Sequence, residues 1–517
     1  MRQARFNDYC LRLREDDDVA VARRRIPRGL RLRSDAFRLT ALDRIEQGHK
    51  IAVSAVGRGA PVRKYGQVIG FASRIIHPGQ HVHTHNLRMR DFGRHYDYAA
   101  DARRPSPVPP ARTRSFMGYL RPDGRAATRN YIAVISSVNC SASAAQCVRD
   151  RFRTPEFARD FPQVDGVIAL THKTGCCIQP GQPHELFERV LTGFARHPNI
   201  FGYVMIGLGC EGAQIGRIRA THRLHHVRDG QPAPTFLNIQ EVGGLSSAVD
   251  AATKQVHRLV RQANRLRRSE QPLGKLVLAM NCGGSDGHSR ITANPALGVA
   301  SDQLVRHGGT SVLAETPEMY GAEHLLARRA VSHAVGRKLV RLIRWWENHV
   351  RLHKAKIDYN PTPGNKAGGL TTIYEKSLGA LAKGGQSPLV AVYEYAQRIG
   401  HRGLVFMDTP GFDPVSMTGL VAGGCTIGCF TTGRGSVYGC KPSPCIKIAT
   451  NTALYQRMGD DMDINAGTIM DQHETVEQVG GRIFERIIAV ASGQKTKSEQ
   501  QGVGDEEFAP WMLGPTL

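Results

Sequence analysis

Four apolar runs constrain this chain more than any other feature: YIAVISSV (131–138), VDGVIALTH (164–172), GYVMIGLG (202–209) and LVLAM (276–280). None alternates apolar with polar residues, as a strand with one wet face would. They read as strands buried on both faces of a parallel sheet. Helix-like stretches lie between them, such as SASAAQCVRDRF and PHELFERVLTGFARH. This β-α-β rhythm predicts layered α/β units. A polar, glycine-loosened segment at the end of such a run is where open α/β sheets place their ligands. The richest such turn is NCGGSDGHSRITANP (281–295), with a thiol, two adjacent glycines, a Ser-Asp pair, a histidine and an arginine. A tight turn with N-capping Ser and Asp would use some of the same residues.

The rhythm resumes at 275 with LVLAMNCGG, GTSVLAETPE, a long helix around 322–354, GLVFMDTPG and TIGCFTTGRG, and no internal repeat is evident. Upstream, DVAVA, HKIAVSAV, GQVIGFAS and HVHTHNL are short strands punctuated by glycines, so the N-terminal part is a small all-β module. The Pro/Arg-rich ARRPSPVPPARTR is the best linker in the chain. The expected division is therefore a β module at 1–95, a linker at 96–115, and α/β domains at 116–270 and 271–517. The stretch 251–270 reads as a basic amphipathic helix lying on the surface.

A length of 517 residues leaves room for several domains. Eleven cysteines without a regular framework suggest free thiols in a reducing compartment, with the cytoplasm expected. No run is long and apolar enough for a membrane helix, and the N-terminus lacks the apolar core of a secretory signal. A net charge of +24 invites a nucleic-acid role. Its distribution argues against one. Residues 1–114 hold 24 Lys and Arg against 11 Asp and Glu, scattered without a zinc finger, an RNP motif or an aromatic-basic stripe. An anionic small-molecule substrate, or arginine-rich drift on a solvated face, accounts for the charge as well.

Chemistry-bearing residues gather at the strand ends. Cys140 follows SSVN, His172 opens THKTGCC with Cys176 four residues on, Cys210 and Glu211 close GLGCE, and Cys282 opens the turn described above. Thiolate and imidazole suit iron(II) or zinc, whereas carboxylates suit harder ions. Glu315 and Glu318 sit at a further strand end, as base or ligands. Cys425, Cys429, Cys440 and Cys445 read as small buried hydrophobes. His81, His83 and His85 alternate and would share one face of a strand, with His49 able to join them. NPTPGNKAGG (360–369) reads as an irregular loop whose Asn365 and Lys366 can hold an anion, and Arg434 in TTGRGS can clamp a carboxylate.

Taken together, the runs GYLRPDGRAATRNYI, GLGCE, CGGSDGHSRITANP, ETPEMYGAEHLL, NPTPGNKAGGLTTIYEKSLG, FTTGRGSVYGCKPSPCIKIATNT and DDMDINAG resemble the altronate dehydratase/galactarate dehydratase family. The first 90 residues resemble its SAF-type, β-clip module through QGHKIAV, VRKYGQVIGFA and GQHVHTHN. HVHTHN, GAEHLL and GDEEFAPW look closer to the altronate branch. The resemblance implies a carbon–oxygen hydro-lyase that removes water from a sugar acid, D-altronate giving 2-dehydro-3-deoxy-D-gluconate. It also implies a divalent metal, with iron(II) the usual association and manganese another option. Galactarate dehydration is the nearest alternative, and a sulfo-lyase acting on a sulfonated hydroxy acid is another. Outside catalysis, the rival is a sugar-acid or nucleic-acid binding module. No membrane or nucleic-acid partner is expected, and a homo-oligomer is open.

On this reading the catalytic pool is His49, His83, His172, Glu211 and Asp286. Ser285, Asn365, Lys366 and Arg434 bind the substrate, and Cys176, Cys210, Cys282 and Glu315 hold the metal. Two positions depart from the family pattern. Arg290 stands where a glycine is usual and is expected to narrow the pocket or add a cation. Cys177 replaces a glycine of a TGCG-type turn and would be strained if that position needs positive φ.

Overall fold

A computed structural model describes residues 3–514 except Ala36, Arg104 and 226–229. The expected strands of the N-terminal module are present as Val19–Ala22, Lys50–Ala52, Gln67–Ala72 and His81–Val82. Three of them join Cys10–Leu11 in a four-stranded sheet. Each is short because the chain turns again within a few residues. Ile26 pairs with Ile45 and Val56 with Ile76 as isolated bridges, and a glycine follows three residues after each of the four. Those glycines, Gly29, Gly48, Gly59 and Gly79, have φ of 82°, 81°, 82° and 89°, a left-handed turn that glycine adopts without Cβ strain. The module therefore does contain an internal repeat. One apolar position and one glycine carry it, too little to stand out in the sequence.

The described residues of 96–115, with a turn at 98–101 and a 3-10 helix at Pro110–Arg112, run along the C-terminal unit. Tyr96 Oη donates to Glu323 at 2.7 Å, Arg328 pairs with Asp97 and Asp101, and Val108 N donates to the Arg306 carbonyl at 2.9 Å.

The second unit is a four-stranded parallel sheet in the order Gly166–Leu170, Tyr131–Ser136, Ile200–Gly207, Thr235–Asn238. Three of these strands are the apolar runs read from the sequence. Helix Leu245–Ala263 covers one face through Ala248, Ala252, Val256, Leu259 and Val260, leaving its basic face outward as an amphipathic surface helix should. It ends before 270, because Ser269–Pro272 forms a strand paired with Ser115–Leu120.

The third unit is a seven-stranded, wholly parallel sheet in the order Leu389–Tyr393, Gly403–Met407, Thr310–Leu313, Val277–Cys282, Ile427–Thr432, Cys445–Ala449, Ile464–Asn465. From the central strand Val277–Cys282 the chain first builds outward on one side and then returns to the other. That reversal opens a crevice beyond the carboxyl ends of the central strands. The single long helix expected at 322–354 is two, Glu323–Arg328 and His333–Leu352, with Ser332 capping the second through Val335 N. The 360–369 segment is not wholly irregular either. Thr362 and Asn365 form a capping box, and Pro363–Ala367 is a short helix with proline at its first turn. No helix among the described residues is long and apolar enough to cross a membrane.

Candidate active site

Cys282 ends the central strand, and Glu315 and Glu318 follow its neighbour Thr310–Leu313, so the crevice brings all three together. One ligand atom from each lies within 4.8 Å of the others, and all three residues are buried. Cys282 Sγ is 3.5 Å from Glu315 Oε2 and 3.6 Å from Glu318 Oε2. Two lysines come from one helix, Ile373–Ala382, and its C-cap. Lys376 and Lys383 are seven residues apart and share a helix face. Lys383 Nζ reaches Glu315 Oε2 at 2.6 Å and Cys282 Sγ at 3.0 Å. Lys376 Nζ reaches Glu318 Oε1 at 2.6 Å and Asn360 Oδ1 at 2.5 Å.

Acidic side chains outnumber the lysines at this site. Asp413 starts the helix Asp413–Ala422. Burial, then the charges of Glu315 and Glu318, push its carboxyl well above the ordinary range. Burial and Glu318 also raise Glu315 against the opposing pull of Lys383. Burial and Glu315 raise the Cys282 thiol, which is therefore neutral. Three acidic side chains thus crowd beside two ammonium groups, and Glu315 Oε1 is buried without a hydrogen-bond partner. Glu315 also has φ 67°, a left-handed conformation whose strain for a non-glycine residue is about 1–3 kcal/mol. Two closely set carboxyls, an orphaned oxygen and a thiol within one small volume fit a divalent cation held by Cys282, Glu315 and Glu318.

A second layer lies against this cluster. Asp286 accepts from His288 N at 3.1 Å, Ser289 Oγ at 3.0 Å, Thr450 Oγ1 at 3.0 Å and Asn451 Nδ2 at 3.2 Å. Burial alone would raise its pKa, but these donors and His288 hold it below the ordinary value. It is an ionised anchor. His288 Nδ1 faces its Oδ2 at 3.5 Å, and His288 Nε2 is buried with no partner. A carboxylate behind one ring nitrogen and an unengaged second nitrogen make His288 the better acid or base. Within GHSR it looked like any other polar turn residue. Only the Asp286 contact singles it out.

The other sequence candidates separate into three groups. Ser285 and Asp286 line a narrow cavity with Lys376, Arg290 and Tyr65. Arg434 is exposed beside it, its Cδ near Gly368 and its N donating to Gly284 O at 2.8 Å. Asn365 is occupied structurally, accepting from Thr362 and donating to Ser285 O at 2.8 Å. Lys366 contributes its carbonyl, which faces His83 Nε2 at 2.9 Å.

The β module folds over the site. Gly48 O lies where a Cβ on Gly287 would be, at 2.0 Å, so only glycine permits this approach. The histidines do gather, with His49, His81 and His83 ring centroids 5.1–5.3 Å apart, although only His81 is in a strand. Burial first, and neighbouring positive groups next, lower His81 to about 3 and His83 to about 4, so both are neutral. His49 faces His81 Nε2 at 3.0 Å and the Ala367 carbonyl at 3.2 Å.

His172, Cys176, Cys210 and Glu211 lie elsewhere, at the strand ends of the second unit. Glu211 accepts from Ser137 Oγ at 2.8 Å and Gly209 N at 2.6 Å, and His172 meets the Ser136 carbonyl at 2.9 Å and Thr174 N at 3.2 Å. Both are fully engaged. Cys177 is not among the positive-φ residues, whereas Gly175 has φ 103°, so the strain expected at Cys177 does not arise. Arg290 does not add a loose cation either. Its guanidinium lies 4.1 Å from the Tyr65 ring centroid and donates to the Leu378 carbonyl. A cavity of about 1180 Å³ lies between the second and third units, lined by Arg121, Arg189, His222 and Arg398 among others, and shares no residue with this site.

A strand-end crevice with opposed acids, lysines, a thiol and an Asp–His pair defines an α/β enzyme that moves protons and stabilises negative charge. Family models match in the same order as the three units: the altronate/galactarate dehydratase SAF domain at 8–90, the second domain of D-galactarate dehydratase/altronate hydrolase at 118–264, and the D-galactarate/altronate dehydratase C-terminal domain at 273–516. The altronate dehydratase of Bacillus subtilis (strain 168) is 35% identical over 98% of this chain and 99% of its own length. The galactarate dehydratase (L-threo-forming) of Escherichia coli (strain K12) is 36% identical over 98% and 97%. The (2R)-sulfolactate sulfo-lyase subunit beta of Chromohalobacter salexigens is 30% identical over 76% and 96%. The chain belongs to the D-galactarate/altronate dehydratase family and is a carbon–oxygen lyase of the hydro-lyase type.

Proposed function

We propose that this chain dehydrates a sugar acid, D-altronate in the first instance, to the 2-keto-3-deoxy acid and water. The observation that carries this reading is the cluster of Cys282, Glu315, Glu318, Lys376 and Lys383 at the crevice of the seven-stranded sheet. The C2–H of a hydroxy acid is hard to ionise because its carbanion spreads charge onto an existing carboxylate. Lys376 and Lys383, fixed as ammonium groups by their acidic partners, supply positive potential where that charge develops. A divalent ion held by Cys282, Glu315 and Glu318 would act as a Lewis acid on substrate oxygens. Iron(II) suits the mixed thiol–carboxylate set.

His288, oriented by Asp286, moves the proton through Nε2. The C2–H electron pair becomes the C2–C3 double bond as the C3–O bond breaks, and the departing hydroxyl leaves as water. The enol then takes a proton at C3 and becomes the keto acid. Arg434 and Ser285 bind the substrate at the mouth, and the β module closes over it. Altronate is put before galactarate because HVHTHN, GAEHLL and GDEEFAPW resemble the altronate branch more closely.

The test is anaerobic purification with iron(II) or manganese, followed by assay of altronate, galactarate and sulfolactate for 2-keto acid and for sulfite. Keto acid from altronate is the expected result. Sulfite release would reassign the chain to sulfo-lyase chemistry, which its similarity to the sulfo-lyase beta subunit makes the second reading. Tight sugar-acid binding without turnover under any metal would reduce it to a binding protein.

A further inference from the structure

The second unit has chemistry that the site above does not use. Its three adjacent parallel strands Gly166–Leu170, Tyr131–Ser136 and Ile200–Gly207 end on one edge, and the loop after each carries an exposed cysteine: Cys176, Cys140 and Cys210. The loops are tied to one another. Gly212 N donates to the Cys176 carbonyl at 2.6 Å, Asn139 N to the Thr174 carbonyl at 2.9 Å and Ala213 N to the Gly175 carbonyl at 3.1 Å. Gly175, at φ 103°, packs so closely that a Cβ would sit 2.3 Å from Ser137 O. Glu211 joins the first and third loops through Ser137 and Gly209 N, and His172 joins the second to Ser136. Two buried polar side chains are thus used to hold three thiol-bearing loops in register, and the thiols themselves face outward.

We propose that Cys140, Cys176 and Cys210 bind an iron–sulfur cluster, with one iron left open to an oxygen ligand. The spacing favours a cluster over a single ion. A tetrahedral metal with metal–sulfur bonds of about 2.3 Å needs its sulfurs roughly 3.8 Å apart. Among the described residues only Cys282, Glu315 and Glu318 bring three ligand atoms within 4.8 Å, so the three thiols are spread wider than one ion requires. They are still close enough to interact. The Cys176 thiol is raised first by Cys177, whose sulfur is 4.0 Å away, and then by Cys140 and Cys210. Iron would displace the thiol protons, since such clusters are held by Cys thiolates. Cluster assembly consumes iron(II), iron(III) and sulfide and releases the thiol protons, the ferric iron supplied setting the oxidised level of the cluster. The site is separate from the Cys282 cluster and does not depend on its assignment.

The full-length protein is reconstituted anaerobically with iron(II), iron(III) and sulfide, and bound iron, acid-labile sulfide, visible absorption bleached by dithionite, and the EPR of the reduced form are read. Stoichiometric sulfide with iron in excess of one per chain is expected. Cys140→Ser, Cys176→Ser and Cys210→Ser should each lose most of the sulfide and colour, while Cys147→Ser, an exposed thiol on the adjoining helix Ala142–Asp150, keeps both. Cys282→Ser should also keep both, which separates this site from the proposed dehydration centre. Alkylation of the unmutated protein supplies a readout independent of variant folding: cluster loading should protect Cys140, Cys176 and Cys210 and leave Cys147 reactive. Iron bound without sulfide, equal loss in Cys147→Ser, or alkylation unchanged by loading would each overturn the proposal. So would a Cys176–Cys177 disulfide as the only change on exposure to oxidant and iron.

Discussion

His288 faces Asp286 at Nδ1 and is unengaged at Nε2, buried between two residues, Gly287 and Ser289, that line the cavity with Ser285 and Lys376. Removing the imidazole takes away the proton carrier and leaves the metal ligands in place. His288→Ala is expected to lower kcat/KM by about 10²–10⁴-fold with the thermal midpoint little changed, measured with saturating iron(II). An unaltered rate would assign the proton transfer to another group. Arg290 makes a different case. Stacked on Tyr65 and bonded to the Leu378 carbonyl, it ties the β module to the third unit. Arg290→Gly should cost about 0.5–2 kcal/mol of stability, read by denaturant unfolding, without altering the order of preference among sugar acids. A changed substrate order would mean that the guanidinium touches substrate. Sequence comparison marked Arg290 as unusual but could not show where its side chain points. It passed over His288, whose distinction is a spatial relation to Asp286.

At the scale of elements, two pieces decide the site: the turn after Val277–Cys282 and the helix Ile373–Ala382. The turn carries Gly287 because the Gly48 carbonyl occupies the space of a side chain. Gly287→Ala should displace the module, costing about 1–3 kcal/mol as overpacking and opening the module–turn contact to protease, with limited proteolysis as the check. The helix presents Glu375 to the β module on one face and Lys376 and Lys383 to the acid cluster on another. The apolar period of strands and helices was legible in the sequence, because burial on both faces leaves few polar positions. The break at 329–332, the short helix Pro363–Ala367 and the turn repeat of the module were not. They depend on local capping and on a glycine signal spread over single residues.

At the scale of the whole molecule, a buried ion triad locks module to catalytic unit. Lys50 and Lys64 reach the two oxygens of Glu375 at 2.9 and 2.8 Å, and Lys50 also donates to Gly369 O at 2.6 Å. Glu375→Gln would leave two buried ammonium groups short of their counter-charge, at a cost of about 3–5 kcal/mol seen as a lower thermal midpoint. Burial alone would raise the Glu375 carboxyl, but Lys50 and Lys64 outweigh it and hold it far below the ordinary range. A depressed carboxylate contributes stability that is complete above the reference value of 4.5 and is lost as pH falls below it. Hydrogen exchange at the module contact should therefore rise on acidification below that point. Glu375→Gln should show a flatter dependence over the same range, and identical slopes would remove the triad from the explanation.

The sequence by itself determined the buried strands, the order of β module and two α/β units, and the strand-end placement of the reactive residues. It could do so because apolar periodicity and glycine turns are local. Tertiary structure decided the partners. Cys282, Glu315, Glu318, Lys376 and Lys383 come from three chain segments and meet only because the seven-stranded sheet reverses direction beside Val277–Cys282. The same assembly put His172 and Glu211 to work as braces between loops and gave His288 its carboxylate. Crowding of acids, lysines and a thiol in a buried volume depends on distances between residues far apart in the chain, and those distances exist only in the folded molecule.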